Sequence, residues 1–380
     1  MSSMIAQTWS SGASMSMLAD GFMARSCRTR GRYGRGMVVV HETVASRVLL
    51  GAGARHLVPE EVERLGATRV LLVATGSARA AGDELEAALG ERAVARFDGA
   101  VVHTPVAVTG QAMALVEEAA ADAVVTIGGG SAIGLGKAIV ARAGIPHLAL
   151  PTTYAGSEVT PVLGETTDGV KQTRRDPALL PGTVVYDVEL TLRMPVGLTL
   201  TSAVNALAHA VEALWAPDAT PVSDALATEA SRLLLAALPT VLGDPAGLPA
   251  RTALQEGAWL AGTCLATARM GLHHQLAHAL GGTFDLPHAE LHTMLLAHVL
   301  RHNLPHAPTA AHRLRAIAGD DPVAAVAALA AAYDGPRRLR DLGVPADGLA
   351  AVAERVAAAP YPNPGPTDAV SVEAVLRAAW

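Results

Sequence analysis

The chain has 380 residues, of which 51% are hydrophobic, 17% charged and 3% aromatic, with a net charge of −6. That length exceeds one ordinary core and predicts two domains, and the apolar content excludes a disordered or fibrous chain. The acidic balance and scarce aromatics argue against a nucleic-acid or polyanion binder, and two cysteines, Cys27 and Cys264, fit a reducing cytoplasm without disulfides.

Met1–Gly36 carries five arginines among Ser, Gly and Met but no long apolar segment. It reads as a disordered extension or an over-long gene start, because Met37 stands just before the first strand pattern. Val38–Val40 and Arg47–Leu50 read as an opening strand pair, Glu60–Leu65 as a helix, and Arg69–Thr75 as a buried strand ended by Gly76. Helix Ala80–Leu89, strand Ala93–Phe97, helix Gly110–Ala121 and buried strand Ala123–Ile127 follow, then helix Ser131–Ala143 and strand His147–Leu150. This alternation predicts an α/β nucleotide-binding domain over residues 37–186, a parallel sheet with helices on both faces. A last strand falls within Pro181–Glu189, and Ala/Leu-rich segments of helical period then run almost to Trp380. Residues 187–380 are therefore expected to form an all-α domain. Apolar runs such as Leu233–Leu242, interrupted by Pro239, fall short of the ~20 residues of a membrane span.

Two loops suit a nucleotide. Ile127–Lys137 (IGGGSAIGLGK) leads from a strand through three glycines into a helix. Glycines let backbone amides approach a phosphate, and the helix N-terminus favours negative charge. The spacing does not match the common GxGxxG fingerprint. Pro151–Thr160 (PTTYAGSEVT) follows another strand, where open α/β sheets bind ligands. Candidate cofactor ligands are Gly128, Gly129, Gly130, Ser131 and Lys137 from the first loop, and Thr152, Thr153, Ser157 and Thr160 from the second. Tyr154 is a candidate proton donor.

The second domain concentrates histidines. Asn205 and His209 lie four apart, as do His274 and His278, and His288 and His292; such pairs share one helix face. Several imidazoles on apolar helices cost too much desolvation to stand without partners, which can be a metal, a ligand or one another.

From about Arg47 to Trp380 the chain resembles the iron-containing alcohol dehydrogenase family, through GGGSAIGLGKAI, PTTYAGSEVT, NALAHAVEAL and HHQLAHALGGTFDLPHAE. The resemblance implies a dehydroquinate synthase-like two-domain architecture and a homodimer. It also implies a catalytic cleft between the domains and a divalent metal (Fe or Zn) held by one Asp and three His. Carried over, the imidazoles are His209, His274 and His288, with His278 an additional histidine near the nicotinamide. The Asp position holds Asn205. A neutral amide removes the only anion of the set, so the expectation here is a mostly metal-free cleft.

Asn205, TTYAGSE, GLHH and LPHAE resemble the maleylacetate reductase branch of that family, and PYPNPGP is similar to its C-terminal motif. The implied activity is NADH- or NADPH-dependent reduction of an activated C=C, in aromatic-compound catabolism. Gln275 and Gly365 stand where that branch usually has Lys and Arg, which leaves the substrate open. Catalytic candidates are His209, His274, His278, His288 and Tyr154. Alternative activities are a metal-dependent alcohol or aldehyde dehydrogenase and a non-redox lyase or cyclase on the same scaffold. No acidic residue stands in Thr75-Gly76-Ser77 to select NADH over NADPH.

Overall fold

Apolar runs too short for helices become the strands of one parallel sheet in the computed structural model, which describes residues 46–167 and 170–380. The extension Met1–Gly36, with Cys27, and the expected strand Val38–Val40 lie outside the described residues. The sheet strands are β1 (Arg47–Leu50), β2 (Val70–Ala74), β3 (Ala93–Phe97), β4 (Ala123–Gly128), β5 (His147–Pro151) and β8 (Thr183–Tyr186), in the order β1-β8-β5-β4-β2-β3. All pairings in this sheet are parallel. β2, β4, β5 and β8 bury every residue, whereas the two edge strands are only partly covered. This explains why the central strands read as unbroken apolar runs.

Alternate residues of each strand face opposite layers. Val70, Leu72 and Ala74 pack with α1 (Val58–Arg64) and α2 (Arg79–Leu89), while Leu71 and Val73 pack with α3 (Val106–Glu118) and α4 (Gly130–Ala143). α3 starts four residues before the expected Gly110, because Pro105 enters with extended backbone at its N-cap. An antiparallel pair, β6 (Val162–Thr167) and β7 (Val170–Arg175), was not expected from sequence. Its residues Gln172–Arg175 are polar and exposed, so no apolar period marks them.

The strand order reverses around β2: β3 lies on one side of it and β4 on the other. Such a switch opens a crevice at the carboxyl ends of the strands. The loops after β2 and β4 meet there, and a Cβ on Gly128 would stand 2.8 Å from the Thr75 side chain.

Beyond β8 the regular elements of the described residues are helical. α5 (Val196–Ala213), α6 (Pro221–Gly243) and α7 (Leu248–Thr267) share one core, to which α9 (His288–Asn303), α10 (Pro308–Ala318) and α11 (Pro322–Ala331) contribute. α8 (Leu272–Phe284), α9, α12 (Gly348–Ala358) and α13 (Ala369–Ala379) build a second. By length and composition α6 alone among the described helices is apolar enough to cross a membrane. Its residues Ala227, Ala230, Leu234 and Leu238 are packed in the helical core.

Candidate active site

Helical periodicity brings the histidines together. Asn205 and His209 project from one face of α5, His273, His274 and His278 from α8, and His288 and His292 from the first turns of α9. The His209 and His274 rings stack with centroids 5.0 Å apart, and His292 lies 4.9 Å from His274. His292 is 4.8 Å from His273 and 4.4 Å from His288, which is 5.3 Å from His278. His209, His273, His274 and His292 are buried, whereas His278 and His288 are exposed. The cluster therefore runs from the helical core to an open mouth.

Hydrogen bonds order these rings. His273 Nε2 and His292 Nδ1 lie 2.7 Å apart, and His292 Nε2 and His288 Nε2 lie 3.0 Å apart. Burial, joined by the neighbouring imidazoles, pushes His209 and His292 well below the ordinary histidine range. Burial likewise lowers His273 to about 3. Asn205 Oδ1, His209 Nδ1 and His274 Nε2 are buried without a hydrogen-bond partner. Polar atoms are seldom left so unless a ligand or water completes them.

Sequence reasoning missed Glu212. It lies three residues after His209 on α5 and is fully buried. Its carboxylate accepts the backbone N–H of Gly271 (3.0 Å) and His273 (2.9 Å) and lies 2.6 Å from His274 Nδ1. Burial alone would raise its pKa, but these bonds outweigh it and hold Glu212 below the ordinary carboxylate range. The signal was available: a carboxylate in an Ala/Leu helix demands partners as much as an imidazole does. His273 and His292 were also outside the candidate set, although His292 lies four residues from His288.

The PYPNPGP segment seals this region from behind. A Cβ on Gly271 would stand 2.6 Å from the Pro362 carbonyl, and Asn363 exchanges two hydrogen bonds with Asn303 (2.8 and 2.9 Å). Gly365 abuts His302 and Asn303, whose side-chain atoms would lie 2.9 Å from a Cβ there. Asn303 is eleven residues beyond His292 on α9, roughly 16 Å along the helix, and Gly365 packs against that end of it.

The glycine loop leads from β4 straight into α4, which starts at Gly130, one residue before the expected Ser131. Gly129 is the N-cap of α4 and Ser131 lies within the first turn, without a side-chain cap. Gly130 is exposed and Ser131 half-buried, so the first amides of the helix face outward from the β4 end. Gly129 packs against Thr153, whose side chain would lie 3.1 Å from a Cβ. Thr152 and Thr153 line a cleft with Arg55, Ser77, Glu84 and Arg193.

Three candidates are placed otherwise than expected. Lys137 is fully buried, and its ammonium donates to the carbonyls of Ser157 (2.5 Å), Thr160 (2.7 Å) and Val162 (2.9 Å). These bonds use all three protons, so Lys137 holds the loop rather than meeting a cofactor phosphate. Burial lowers it to about 7. Thr160 belongs to the same staple, its hydroxyl donating to the Ser157 carbonyl (3.0 Å). Tyr154 is not in the cleft: its N–H donates to Ser202 Oγ (2.9 Å) and its ring lies in the helical core. Its hydroxyl is 3.5 Å from the buried guanidinium of Arg251. Ser157 stays half-buried beside Gly156, and a Cβ on Gly156 would lie 3.7 Å from His209 Nδ1.

Residues 45–188 match the iron-containing alcohol dehydrogenase family, and residues 199–380 match the C-terminal part of the Fe-containing alcohol dehydrogenase family. The chain belongs to the iron-containing alcohol dehydrogenase family. It is an NAD(P)-dependent oxidoreductase of that family. It is 47% identical over 336 residues to maleylacetate reductase 1 of Rhodococcus opacus, covering 88% of this chain and 94% of that protein. The crystal structure of maleylacetate reductase from Rhizobium sp. strain MTP-10005 superposes with a TM-score of 0.87 at 43% identity, covering 90% of this chain and 98% of that one. The maleylacetate reductase of Agrobacterium tumefaciens gives the same values.

The family name implies iron, which the side chains present would have to hold without a carboxylate. Asn205, His209, His274 and His288 bring no anion, and His288 Nε2 is within hydrogen-bond distance of His292 Nε2. Among the described residues no three His, Cys, Asp or Glu converge as metal ligands.

Proposed function

We propose that this oxidoreductase is an NADH- or NADPH-dependent reductase of the maleylacetate type, which reduces the activated C=C of an oxo-enoate. The observation that carries this is the histidine cluster with a neutral amide, Asn205, at its buried end, in a chain 47% identical to a maleylacetate reductase. The dinucleotide would lie across the carboxyl ends of β2, β4 and β5. Its pyrophosphate would meet the amides of Gly130 and Ser131 at the start of α4, and Thr152 and Thr153 would flank it.

A reduced nicotinamide bound there would supply hydride to the carbon β to the ketone, the electron pair of the C=C moving toward the carbonyl to form an enolate. Hydrogen-bond donors of the imidazole cluster stabilise the developing charge on oxygen. Protonation of the α-carbon by His278 or His288, at the exposed end of the cluster, completes the saturated ketone. One substrate, one NAD(P)H and one proton give one product and NAD(P)+. Thr75-Gly76-Ser77 holds no carboxylate against a 2′-phosphate, so this turn does not select between NADH and NADPH. We take the enzyme to act as a homodimer in the cytoplasm, with residues 37–186 forming the nucleotide half and 187–380 the catalytic half.

A reduced-nicotinamide consumption assay across maleylacetate, neutral enones and simple aldehydes, with and without chelator, tests the reading. Turnover of maleylacetate that survives chelation is expected. Strict dependence on added Zn or Fe, with aldehydes preferred, would favour a metal-dependent dehydrogenase, for which the partnerless Asn205 Oδ1, His209 Nδ1 and His274 Nε2 are the pointer. Nucleotide binding without oxidation by any of these compounds would favour a non-redox enzyme.

A further inference from the structure

His274 offers two ring nitrogens, and its surroundings treat them differently. Nδ1 lies 2.6 Å from Glu212 Oε2, while Nε2 is buried with no hydrogen-bond partner. Glu212 is a fully buried carboxylate that also accepts the amides of Gly271 at 3.0 Å and His273 at 2.9 Å, with that of His274 at 3.4 Å. An ionised carboxylate only accepts, so the proton between Glu212 and His274 resides on Nδ1.

We infer that Glu212 is a positioning residue: it locks His274 in the tautomer with its proton on Nδ1, so that Nε2 is the atom through which His274 meets substrate. This rests on the reductase reading for its consequence, since the substrate-facing atom matters only if His274 serves the enolate.

Three features make the lock rigid. Glu212 ties together the start of α8, so the bonds that orient the ring also fix the backbone that carries it. The PYPNPGP segment closes over that start, leaving no room for a side chain at Gly271 between Pro362 and Glu212. Exclusion of water makes an ion-assisted hydrogen bond stronger than it is in solution. A carboxylate behind a histidine plays the same part where it sets the tautomer of a general base in hydrolases, and outer partners orient imidazoles on metals.

Glu212→Gln keeps volume but breaks the pattern. Its one carbonyl stands either at the Oε2 position, against the Gly271 amide and His274 Nδ1, or at the Oε1 position, against the His273 amide, and its NH2 opposes a backbone N–H at the other. Either way the ionic acceptor and one backbone bond are lost, and His274 is no longer held in a single tautomer. Two measurements follow, with the full-length chain. Nitrogen-15 NMR of histidine-labelled wild-type protein, the His274 signals assigned from their loss in His274→Asn, should show Nδ1 protonated and Nε2 bare. In Glu212→Gln the two signals should move toward a mixture of the tautomers, with kcat for enone reduction down about 10²- to 10⁴-fold and KM for the reduced nicotinamide within about twofold.

A wild-type His274 protonated on Nε2 overturns the inference, and that measurement decides alone if the variant does not fold. A folded Glu212→Gln that keeps kcat within threefold overturns it too. The NMR result does not depend on the substrate: inactivity of the wild type toward every enone would sink the reductase reading and leave the tautomer lock standing.

Discussion

Gly156 and Gly262 face each other so closely that a Cβ on Gly156 would lie 3.0 Å from the Gly262 Cα. The first sits in the loop after β5 with φ +78, a conformation that favours glycine, and the second is on α7. This approach brings the PTTYAGSEVT loop against the helices beside His209. In Gly262→Ala the new Cβ would stand 2.6 Å from Val159 Cγ2 and 3.0 Å from Gly156 Cα. Backbone cannot yield cheaply, so the variant should lose about 1–3 kcal/mol in urea unfolding. It should also raise KM for the reduced nicotinamide, because Thr152 and Thr153 move with the loop. Unchanged stability and kinetics would mean that the contact is dispensable.

Tyr154 tests how far a motif predicts placement. Its hydroxyl sits 3.5 Å from Arg251 in the helical core, away from the histidines. Tyr154→Phe should therefore keep kcat within about twofold and cost about 0.5–1.5 kcal/mol of stability, the range for one buried hydrogen bond. A loss of kcat by tenfold or more, with stability intact, would return the hydroxyl to the proton-donor role.

His147 gives the fold a pH dependence separate from the active site. It is buried on β5, bonded through Nε2 to the Thr126 hydroxyl (2.9 Å), and burial lowers its pKa to about 3. The folded value lies below the unfolded one of 6.5, so the unfolded chain binds the extra proton. Stability is then fully present above pH 6.5 and falls as pH drops toward 3. At about 1.36 kcal/mol per unit, His147 should account for about 2 kcal/mol of the loss between pH 6.5 and 4.5. His147→Asn should shallow the acid limb of a stability–pH curve by one proton. An unaltered slope would show that His147 is charged in the folded state.

The parts of this molecule that were legible in its sequence are those governed by period. The run RVLLVAT holds a fully buried strand, Val70–Ala74, and i, i+4 histidines fell on shared helix faces. What period does not encode is the direction of a polar side chain inside a loop or core. Lys137 and Tyr154 follow a glycine loop and a strand end as a cofactor motif should, yet both turn inward because carbonyls and a guanidinium are nearer than the cleft. Glu212 was overlooked for the same reason: its partners are backbone amides of another helix, which leave no trace in composition.

Asn205 decides between the two kinds of chemistry the cluster allows. Its Oδ1 is buried without a partner, as are His209 Nδ1 and His274 Nε2, so the site lacks a donor or a cation for them. Asn205→Asp adds a negative charge for a cation with almost no change of shape. With a dication present, the carboxylate, His209 and His274 gain a common partner; without one, a lone buried carboxylate is costly and destabilises the fold. The variant should therefore bind Zn or Fe at least tenfold more tightly than wild type, about 1.4 kcal/mol. Its melting temperature should rise with added Zn, as ligand binding to the folded state requires. Wild-type protein dialysed against chelator should show little metal by elemental analysis and retain its turnover. If instead it holds one metal per chain through that dialysis, Asn205 is a competent ligand and the metal-free cleft is wrong. If Asn205→Asp gains no metal, the geometry of His209, His274 and His288, not the missing charge, is what excludes the ion.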